Sequence, residues 1–217
     1  MSLRLAGLRS PLAGPFDLTL ENGECVAITG ASGSGKSLFL RMIADLDPCE
    51  GDVFLDDRPR GAMPAPEWRR QVVYNPAEPG WWADDVASHF ADIAAARAMA
   101  PRLGLPPELL DGPVLRLSSG ERQRLGLIRA LALDPKVLLL DEPTGALDAD
   151  NTALVEKVLS QLLEAGTAIL MVTHSAEQAG RLAVRRFRMA ERRLVEDDLP
   201  VSQREAGASP PERGDAP

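Results

Sequence analysis

A glycine-rich octapeptide constrains the fold of this chain more than any other stretch of its sequence. It reads GASGSGKS over residues 30–37, and it follows the apolar run VAIT and precedes the run LFLRM. Glycines let a backbone wrap closely around an anion with its N–H groups pointing inward, and a helix beginning there adds its positive dipole end. Between a strand and a helix, this G-x-x-x-x-G-K-S pattern predicts a phosphate-binding loop, and the alternative is a Gly/Ser turn without a ligand.

Two side chains of this loop carry specific chemistry. Lys36 is expected to reach the β- and γ-phosphates of a nucleotide, and the hydroxyl of Ser37 is expected to ligate Mg²⁺. Lysine is otherwise present only at positions 136 and 157, so a lysine in this loop is informative. The predicted nucleotide-binding residues are Gly30, Ala31, Ser32, Gly33, Ser34, Gly35, Lys36, Ser37 and Leu38.

An apolar run later in the chain leads directly into two adjacent carboxylates, Asp141 and Glu142. Parallel strands end at one edge of a sheet, where open α/β folds bind ligands. We therefore expect the strand Val137–Leu140 to end beside the strand Gly23–Thr29 as its neighbour. Asp141 would then face the metal held by Ser37, and Glu142 would orient or deprotonate the water that attacks the γ-phosphate. The alternative is a carboxylate pair that caps the next turn.

The hydrophobic pattern alternates between strands and helices, which predicts an α/β fold with a mainly parallel sheet. Strands are predicted at Leu3–Leu8, Phe16–Leu20, Gly23–Thr29, Val53–Leu55, Gln71–Tyr74, Val137–Leu140, Thr167–Thr173 and Arg185–Ala190. Helices are predicted at Lys36–Ala44, Asp85–Ala100, Gly120–Leu133 and Thr152–Ala165. The N-terminal strands, with little helix between them, indicate a small antiparallel layer beside the main sheet.

The same pattern predicts one domain over residues 1–195, with a helical lobe inserted at about residues 83–133. Residues 196–217 are polar and proline-rich, and we expect them to be disordered because they cannot bury enough apolar surface.

Composition excludes several classes of function. The formal net charge of −8 argues against non-specific binding to nucleic acid. Cys25 and Cys49 lack metal-binding spacing, and we expect a reduced, cytoplasmic compartment. The first residues are too broken by Arg, Pro and Gly to be a secretory signal, and no apolar run is long enough to span a bilayer.

Four motifs in order resemble those of ABC-type ATPases: the phosphate loop, LSSGERQRLGLIRAL at residues 117–131, LLLDEPTGALD at 138–148 and MVTHS at 171–175. The resemblance covers about residues 3–190 and implies a P-loop NTPase (RecA-like) core that binds and hydrolyses ATP with Mg²⁺. It also implies a head-to-tail dimer with itself or with a homologous ATPase subunit, in which each ATP lies between one phosphate loop and the partner's signature motif.

The resemblance assigns further residues to this site. Ser118, Ser119, Gly120 and Glu121 form the signature that acts in trans. The same stretch is also typical of a helix N-cap followed by an acid. A helix cap and an anion-binding site use the same hydroxyl and backbone N–H groups, so both roles can hold. Asp148 matches the D-loop at the dimer interface, and His174 matches the switch histidine that contacts the γ-phosphate. Glu142, His174 and Lys36 are therefore the predicted catalytic residues, whereas His89 is expected to be structural.

The sequence departs from the family pattern in the glutamine loop. The segment QVVYNPAEPGWWADDV places Ala77 where the family has a glutamine that touches Mg²⁺, and a shifted alignment places Asn75 there instead. Without that ligand, the metal contact would pass to water or to Glu78. Gln71 lies too early, within the predicted strand. ATP binding is unaffected by this change, but the rate of hydrolysis becomes an open question.

A second departure concerns the base of the nucleotide. The family stacks an aromatic ring on adenine from a residue before the second strand, but here no aromatic occurs before Phe16, which is predicted to lie in a strand. Arg9 is the predicted substitute, through cation–π contact. A smaller departure is Ser119, where many members have glycine.

The resemblance also predicts a partner in the membrane. In transporters of this family, a short helix of a separate transmembrane subunit enters the groove beside the helical lobe. Trp81 and Trp82 either contact that helix or fill the lobe's own core. The predicted function is therefore the ATP-hydrolysing subunit of a bacterial ABC transporter, peripheral at the cytoplasmic face of the inner membrane.

Export of a metal such as iron is a finer hypothesis. It rests on the likeness of the segment VVYNPAEPGWWADDV of this chain to the corresponding run of bacterial iron-export ATP-binding proteins. Two alternatives stay open. One is a soluble ABC ATPase that drives a scaffold such as iron–sulfur assembly. The other is a weakly hydrolysing, nucleotide-gated regulator, which is suggested by Ala77.

Overall fold

The computed structural model describes residues 2–197, so the predicted tail lies outside the described residues except at positions 196 and 197. The strands are Ser2–Ser10 (β1), Ala13–Glu21 (β2), Cys25–Thr29 (β3), Glu50–Leu55 (β4), Arg58–Pro59 (β5), Val72–Asn75 (β6), Val137–Asp141 (β7), Ala168–Val172 (β8), Arg185–Ala190 (β9) and Arg193–Glu196 (β10). The α-helices are Lys36–Ile43 (α1), Ala65–Gln71 (α2), Ile93–Met99 (α3), Ser119–Leu131 (α4), Ala149–Glu164 (α5) and Ala176–Leu182 (α6).

The central sheet has six strands in the order β10-β9-β3-β8-β7-β6. All neighbouring strands run parallel except β10, which pairs antiparallel with β9. The prediction of a mainly parallel sheet is therefore confirmed. The prediction that β3 and β7 are neighbours is wrong, because β8 pairs with both and lies between them. The intervening strand still brings all three carboxyl ends to one edge of the sheet.

The central strands are apolar throughout because both of their faces are covered. Alternate residues of β3 and β7 belong to two separate apolar clusters: Val26 and Leu139 pack on one face, whereas Ala27 and Leu140 pack on the other. The first cluster joins the sheet to α1, α2 and the N-terminal strands. The second joins the sheet to α4, α5 and the segment over residues 86–117. This double burial fixes the register of the strands whose ends form the site.

The predicted antiparallel layer is present as a four-stranded sheet in the order β2-β1-β4-β5. Its inward-facing residues, among them Leu3, Leu5 and Val53, are buried against the first cluster. Outward-facing positions are exposed, as expected for a sheet with one solvated face.

The helical lobe contains less α-helix than the sequence pattern predicts. The predicted helix Asp85–Ala100 is wrong over its first half. Asp85 accepts hydrogen bonds from the amide and hydroxyl of Ser88, and this turn forms only a short 3₁₀ helix at Ala87–His89. No α-helix begins until Asp92 caps α3 by accepting from the amide of Ala95. After α3 the lobe continues as short 3₁₀ segments.

Two helices of the structure were not predicted. The helix α2 begins with Pro66 in its first turn and ends at Gln71, so Gln71 closes a helix and does not begin a strand as predicted. The helix α6 begins after Ser175, whose hydroxyl accepts from the amide of Gln178. Strand β10 includes Glu196, so regular secondary structure continues past the predicted boundary at residue 195.

Across residues 2–197, no helix combines the length and apolarity needed to cross a bilayer.

The packing of α2 yields a test of this arrangement. Trp68 is fully buried, and its indole Nε1 donates to the carbonyl of Ile43 at 3.0 Å. We expect Trp68→Phe to lower the free energy of unfolding by about 2–3 kcal/mol, because it leaves a buried carbonyl unpaired and a small void. Urea unfolding followed by circular dichroism measures this. The control Trp82→Phe alters a side chain that is 71% exposed and should change stability by less than about 1 kcal/mol. Equal effects would contradict the packing.

Candidate functional site

A cavity of about 400 Å³ lies at the edge of the central sheet where β3, β7 and β8 end. It is bounded by the loop after β3, by the residues that follow β7 and β8, and by two turns. Its lining residues are Leu12, Ser32, Gly33, Gly35, Lys36, Ser37, Leu38, Ala77, Asp141, Glu142, His174 and Arg192. Six of the nine predicted nucleotide-binding residues line this cavity, and the other three, Gly30, Ala31 and Ser34, lie in the same loop.

The loop over residues 30–37 has the features of an anion cradle. Gly30 has φ 143°, and a Cβ there would lie 2.7 Å from the carbonyl of Met189, so only glycine fits. The Nζ of Lys36 donates to the carbonyls of Gly30 and Ala31 at 2.8 and 2.9 Å. The hydroxyl of Ser34 is buried and has no hydrogen-bond partner within the described residues. A buried orphan hydroxyl and a lysine folded back on its own loop fit an anion that supplies partners to both.

Ser37 and Asp141 lie on the same cavity and offer the hydroxyl and carboxylate oxygens that Mg²⁺ prefers. Asp141 is 5% exposed, and its Oδ2 accepts from the hydroxyl of Tyr74 at 3.0 Å. Burial and the neighbouring Asp141 raise the pKa of the Tyr74 phenol, which therefore stays a donor. These residues fit a magnesium–nucleotide complex.

Glu142 is held in an uncommon backbone conformation, with φ 48°, directly after β7. Its amide donates to the carbonyl of Val172 at 2.9 Å, and its Oε2 accepts from the amide of His174 at 3.1 Å. The Nε2 of His174 lies 3.2 Å from Oε1, but not in hydrogen-bonding alignment, so this oxygen keeps a free lone pair within the described residues. One carboxylate oxygen is thus fixed by the amide of His174, and the other is a buried acceptor without a hydrogen-bond partner among the described residues.

The charges of this site perturb one another. Burial raises the pKa of the Glu142 carboxyl, and the hydrogen bond from the amide of His174 opposes that rise. Burial lowers the pKa of Lys36, whereas the carboxylates Glu142 and Asp141 oppose that fall. A carboxyl whose pKa is raised is a better proton acceptor near neutral pH than an ordinary glutamate.

The altered glutamine loop lies between this cavity and a second one. Ala77 lines both cavities, Glu78 lines only the second, and Asn75 is buried in β6 and lines neither. Of these three residues, only Ala77 lies on the phosphate-loop cavity, as predicted for the altered glutamine position. A Cβ on Gly126 of α4 would lie 2.3 Å from Cγ of Pro79, so the loop packs directly on the backbone of that helix.

The side chain of Gln123, which sequence reasoning did not single out, joins the elements around Glu142. Its Nε2 donates to the carbonyl of Glu142 at 2.7 Å and to that of Ala77 at 3.4 Å, and its Oε1 accepts from the amide of Ala146 at 3.3 Å. Gln123 is buried in α4, so this helix is tied to the turn that carries Glu142. In the sequence, Gln123 is only one polar residue of the run LSSGERQR. Its hydrogen-bond partners lie 19 to 46 residues away, so the sequence gives no signal of its role.

The signature residues lie at the start of α4 and away from the phosphate-loop cavity. Ser118 is the N-cap: its hydroxyl accepts from the amide of Glu121, and the Glu121 carboxylate accepts from the amide of Ser118 at 2.8 Å. Ser118 and Ser119 are exposed, Gly120 is buried, and Ser119 lines only the second cavity. The helix cap is therefore present, and the chain does not bring its own signature to its own phosphate loop.

Asp148 and Arg9 also lie outside the phosphate-loop cavity. Asp148 caps α5 and accepts from the amide of Asn151 at 2.8 Å, and this hydrogen bond lowers its pKa. Arg9, the residue predicted to stack on the base, does not line this cavity, and its guanidinium donates through two nitrogens to Glu50 at 3.0 and 2.8 Å.

The second cavity has a volume of about 560 Å³ and is bordered by an aromatic cluster. His89 is structural, as expected: Nε2 accepts from the amides of Trp82 and Ala83, and Nδ1 pairs with the carbonyl of Asp85. Both indoles pack on the His89 ring and on the guanidinium of Arg129.

The two tryptophans differ in their surroundings. Trp81 is half-buried against the lobe cluster and lines the second cavity, whereas Trp82 is exposed. Within residues 2–197, Trp81 Nε1 and the cavity's Arg122 Nε are buried donors without partners.

Comparison with known proteins identifies a family. The family model described as ABC transporter matches residues 14–145. An aliphatic sulfonates import ATP-binding protein of Pseudomonas savastanoi is 38% identical over 201 residues, covering 88% of this chain and 71% of the relative. A lipoprotein-releasing system ATP-binding protein of Nitratidesulfovibrio vulgaris is 35% identical over 228 residues, covering 91% of this chain and 96% of the relative.

A solved structure supports the fold. The dimeric post-hydrolysis state of an ATP-binding cassette bound to ADP and Pi aligns with a TM-score of 0.75 at 23% identity, covering 90% of this chain and 97% of that chain. The α/β P-loop architecture predicted from the sequence is thereby confirmed.

The contacts of Gln123 lead to a prediction. Gln123→Leu removes the donor to the Glu142 carbonyl, and one such hydrogen bond contributes about 1 kcal/mol, so we expect ATP turnover to fall about five- to tenfold. Nucleotide affinity should stay within about twofold, since Gln123 does not line the phosphate-loop cavity. A steady-state ATPase assay with separate binding measurements tests this. Gln161→Leu on the exposed side of α5 is the control. Turnover equal in both variants would contradict the positioning role.

Proposed function

This chain belongs to the ABC transporter family, and from that premise we propose that it binds and hydrolyses Mg-ATP in the phosphate-loop cavity to energise a separate membrane subunit. ABC ATP-binding proteins of this family are ATPases. The observation that carries the assignment to these residues is the meeting of Lys36, Ser37, Asp141, Glu142 and His174 on one cavity.

The residues of the loop bind the triphosphate. Backbone N–H groups and the start of α1 supply donors and a positive dipole end, and Lys36 turns from its own loop carbonyls to the β- and γ-phosphates. Ser37 and Asp141 would hold Mg²⁺, whose charge offsets the charge of the phosphates when it is bound.

Glu142 and His174 act on the attacking water. The unpartnered Oε1 of Glu142 accepts a hydrogen bond from the water and takes its proton. The water oxygen bonds to the γ-phosphorus, while the bond from that phosphorus to the β–γ bridging oxygen breaks and ADP leaves. The amide of His174 keeps Oε2 in place, and the exposed imidazole of His174 contacts the γ-phosphate. The side chain of Ala77 has no atom that can bind a metal. A water molecule would therefore take the place that the family's glutamine side chain has at the Mg²⁺.

A second copy of the chain, or a homologous ATPase subunit, completes the site. Ser118, Ser119, Gly120 and Glu121 form an intact, partly exposed helix start that does not reach the phosphate loop of the same chain. In a head-to-tail dimer these donors would close over the γ-phosphate of the partner, with Asp148 at the interface.

The membrane subunit docks beside the lobe, at the cytoplasmic face of the inner membrane. The exposed Trp82 and the unpartnered donors of Trp81 and Arg122 offer stacking area and hydrogen bonds to a short helix. The two relatives are named for sulfonate import and lipoprotein release, so their names give no support to the iron-export hypothesis.

Two other functions are separable by experiment. A soluble ATPase that drives a scaffold would co-purify with soluble partners only, whereas a transporter subunit would co-purify with a multi-span membrane protein. A weakly hydrolysing regulator, which the absence of a side-chain ligand at Ala77 favours, would bind ATP with very low turnover even beside its membrane partner. We expect residues 1–195 to carry the ATPase activity, with residues 196–217 dispensable for it.

Substitution of Glu142 tests the catalytic assignment. We expect Glu142→Gln to retain ATP binding, to lower turnover by about a hundredfold or more, and to accumulate an ATP-bound dimer, because the amide accepts no proton. ATPase assays and light scattering after size exclusion with Mg-ATP measure these effects. Glu78→Gln is the matched control, since that carboxylate lies on the second cavity only. Hydrolysis by Glu142→Gln at the wild-type rate would refute the role of Glu142.

The raised pKa of Glu142 predicts a pH dependence. A raised pKa keeps the carboxyl neutral to higher pH, and the neutral form cannot take a proton. The turnover number should therefore begin to fall on acidification above the ordinary glutamate pKa of 4.5. A pH–rate profile at saturating Mg-ATP, with circular dichroism to verify folding, measures this. A rate that stays constant on acidification down to the ordinary value would contradict it.

A further inference from the structure

Leu12 and Arg192 form a wall of the phosphate-loop cavity that neither the phosphate chemistry nor the family motifs explain. Leu12 lies in the turn between β1 and β2, and Arg192 lies in the turn between β9 and β10. Leu12 is an apolar side chain that is 57% exposed. An exposed leucine beside an arginine offers an apolar surface and a planar cation to the same ligand.

The two turns hold each other in place. The Nη1 of Arg192 donates to the carbonyl of Leu12 at 2.9 Å, and the amide of Gly14 donates to the carbonyl of Arg192 at 3.0 Å. Arg192 has φ 61°, a left-handed conformation that only some residues adopt readily. Its guanidinium is therefore oriented before a ligand arrives, which reduces the entropy that binding must remove.

The sheet order separates this wall from the catalytic residues. Strand β9 lies on one side of β3, whereas β8 and β7 lie on the other. Because β9 and β3 are parallel, the turn with Arg192 is at the same sheet edge as the phosphate loop. Glu142 and His174 define the γ-phosphate side, after β7 and β8. A nucleotide whose γ-phosphate faces that side extends its base toward β9.

We propose that Leu12 and Arg192 are the base-binding residues of this protein: the base lies on Leu12, and the guanidinium plane of Arg192 stacks on it. This inference rests on the proposed binding of a nucleotide in the cavity. Among the described residues that line the cavity, none carries an aromatic ring other than the imidazole of His174, so the guanidinium supplies the flat surface. Arginine stacks on every base, and discrimination between bases should therefore be modest.

Binding of two probes, ADP and inorganic pyrophosphate, separates a base contact from a phosphate contact. Arg192→Gly removes the side chain and suits the left-handed backbone, so the turn is retained. We expect this variant to bind ADP about three- to tenfold more weakly by calorimetry, in line with a stacked cation, and to bind pyrophosphate as the wild type does. Arg193→Gly and Arg9→Ala are matched controls and should change neither affinity.

A gain-of-function variant supports the same conclusion without removing a contact. Leu12→Trp places a ring at the base, and we expect tighter ADP binding, by about three- to tenfold, with quenching of the new indole fluorescence. Two results would overturn the proposal: ADP affinity of Arg192→Gly equal to wild type, or an equal loss for pyrophosphate, which would assign Arg192 to a phosphate. Failure of the wild type to bind either probe would instead refute the proposed function.

Discussion

The parallel register of β3, β8 and β7 is the constraint on which the rest of the structure depends. These strands are buried on both faces, and each residue step alternates between two apolar clusters. A slip of one residue would exchange the two sets of side chains, so the register is strongly specified. Because the strands are parallel and start together, they end together, and the phosphate loop, Glu142 and His174 meet without any contact between distant loops having to be formed separately.

The sequence predicts this site well because its information is local. A strand, a glycine loop and a helix are adjacent in the chain, and Asp141 and Glu142 follow a strand whose apolar run is unmistakable. The order of the strands in the sheet is harder to predict from the sequence. The apolar patterns of β3, β7 and β8 are alike, so nothing in them indicates that β8 lies between the other two.

Residues whose roles arise from long-range contacts were missed or misplaced. Gln123 is one polar residue in a helix, and only its distance to Glu142 identifies it as a positioning residue. Arg9 lies before the second strand in the sequence, but Glu50 on the neighbouring strand engages its guanidinium. Helix α3 starts late because Asp85 and Asp92 direct hydrogen bonds into local turns, and this competition is not visible in the hydrophobic period.

Helix α4 has a mechanical consequence. Along its 13 residues, a length of about 20 Å, it begins at the exposed N-cap Ser118 and carries two attachments to other elements: Gln123 on the carbonyl of Glu142, and Arg129 against both indoles near its end. A hydrogen-bonded helix bends little over this length. A displacement of the indoles would therefore be carried along the helix to its Ser118 end, and through the side chain of Gln123 to the backbone of Glu142.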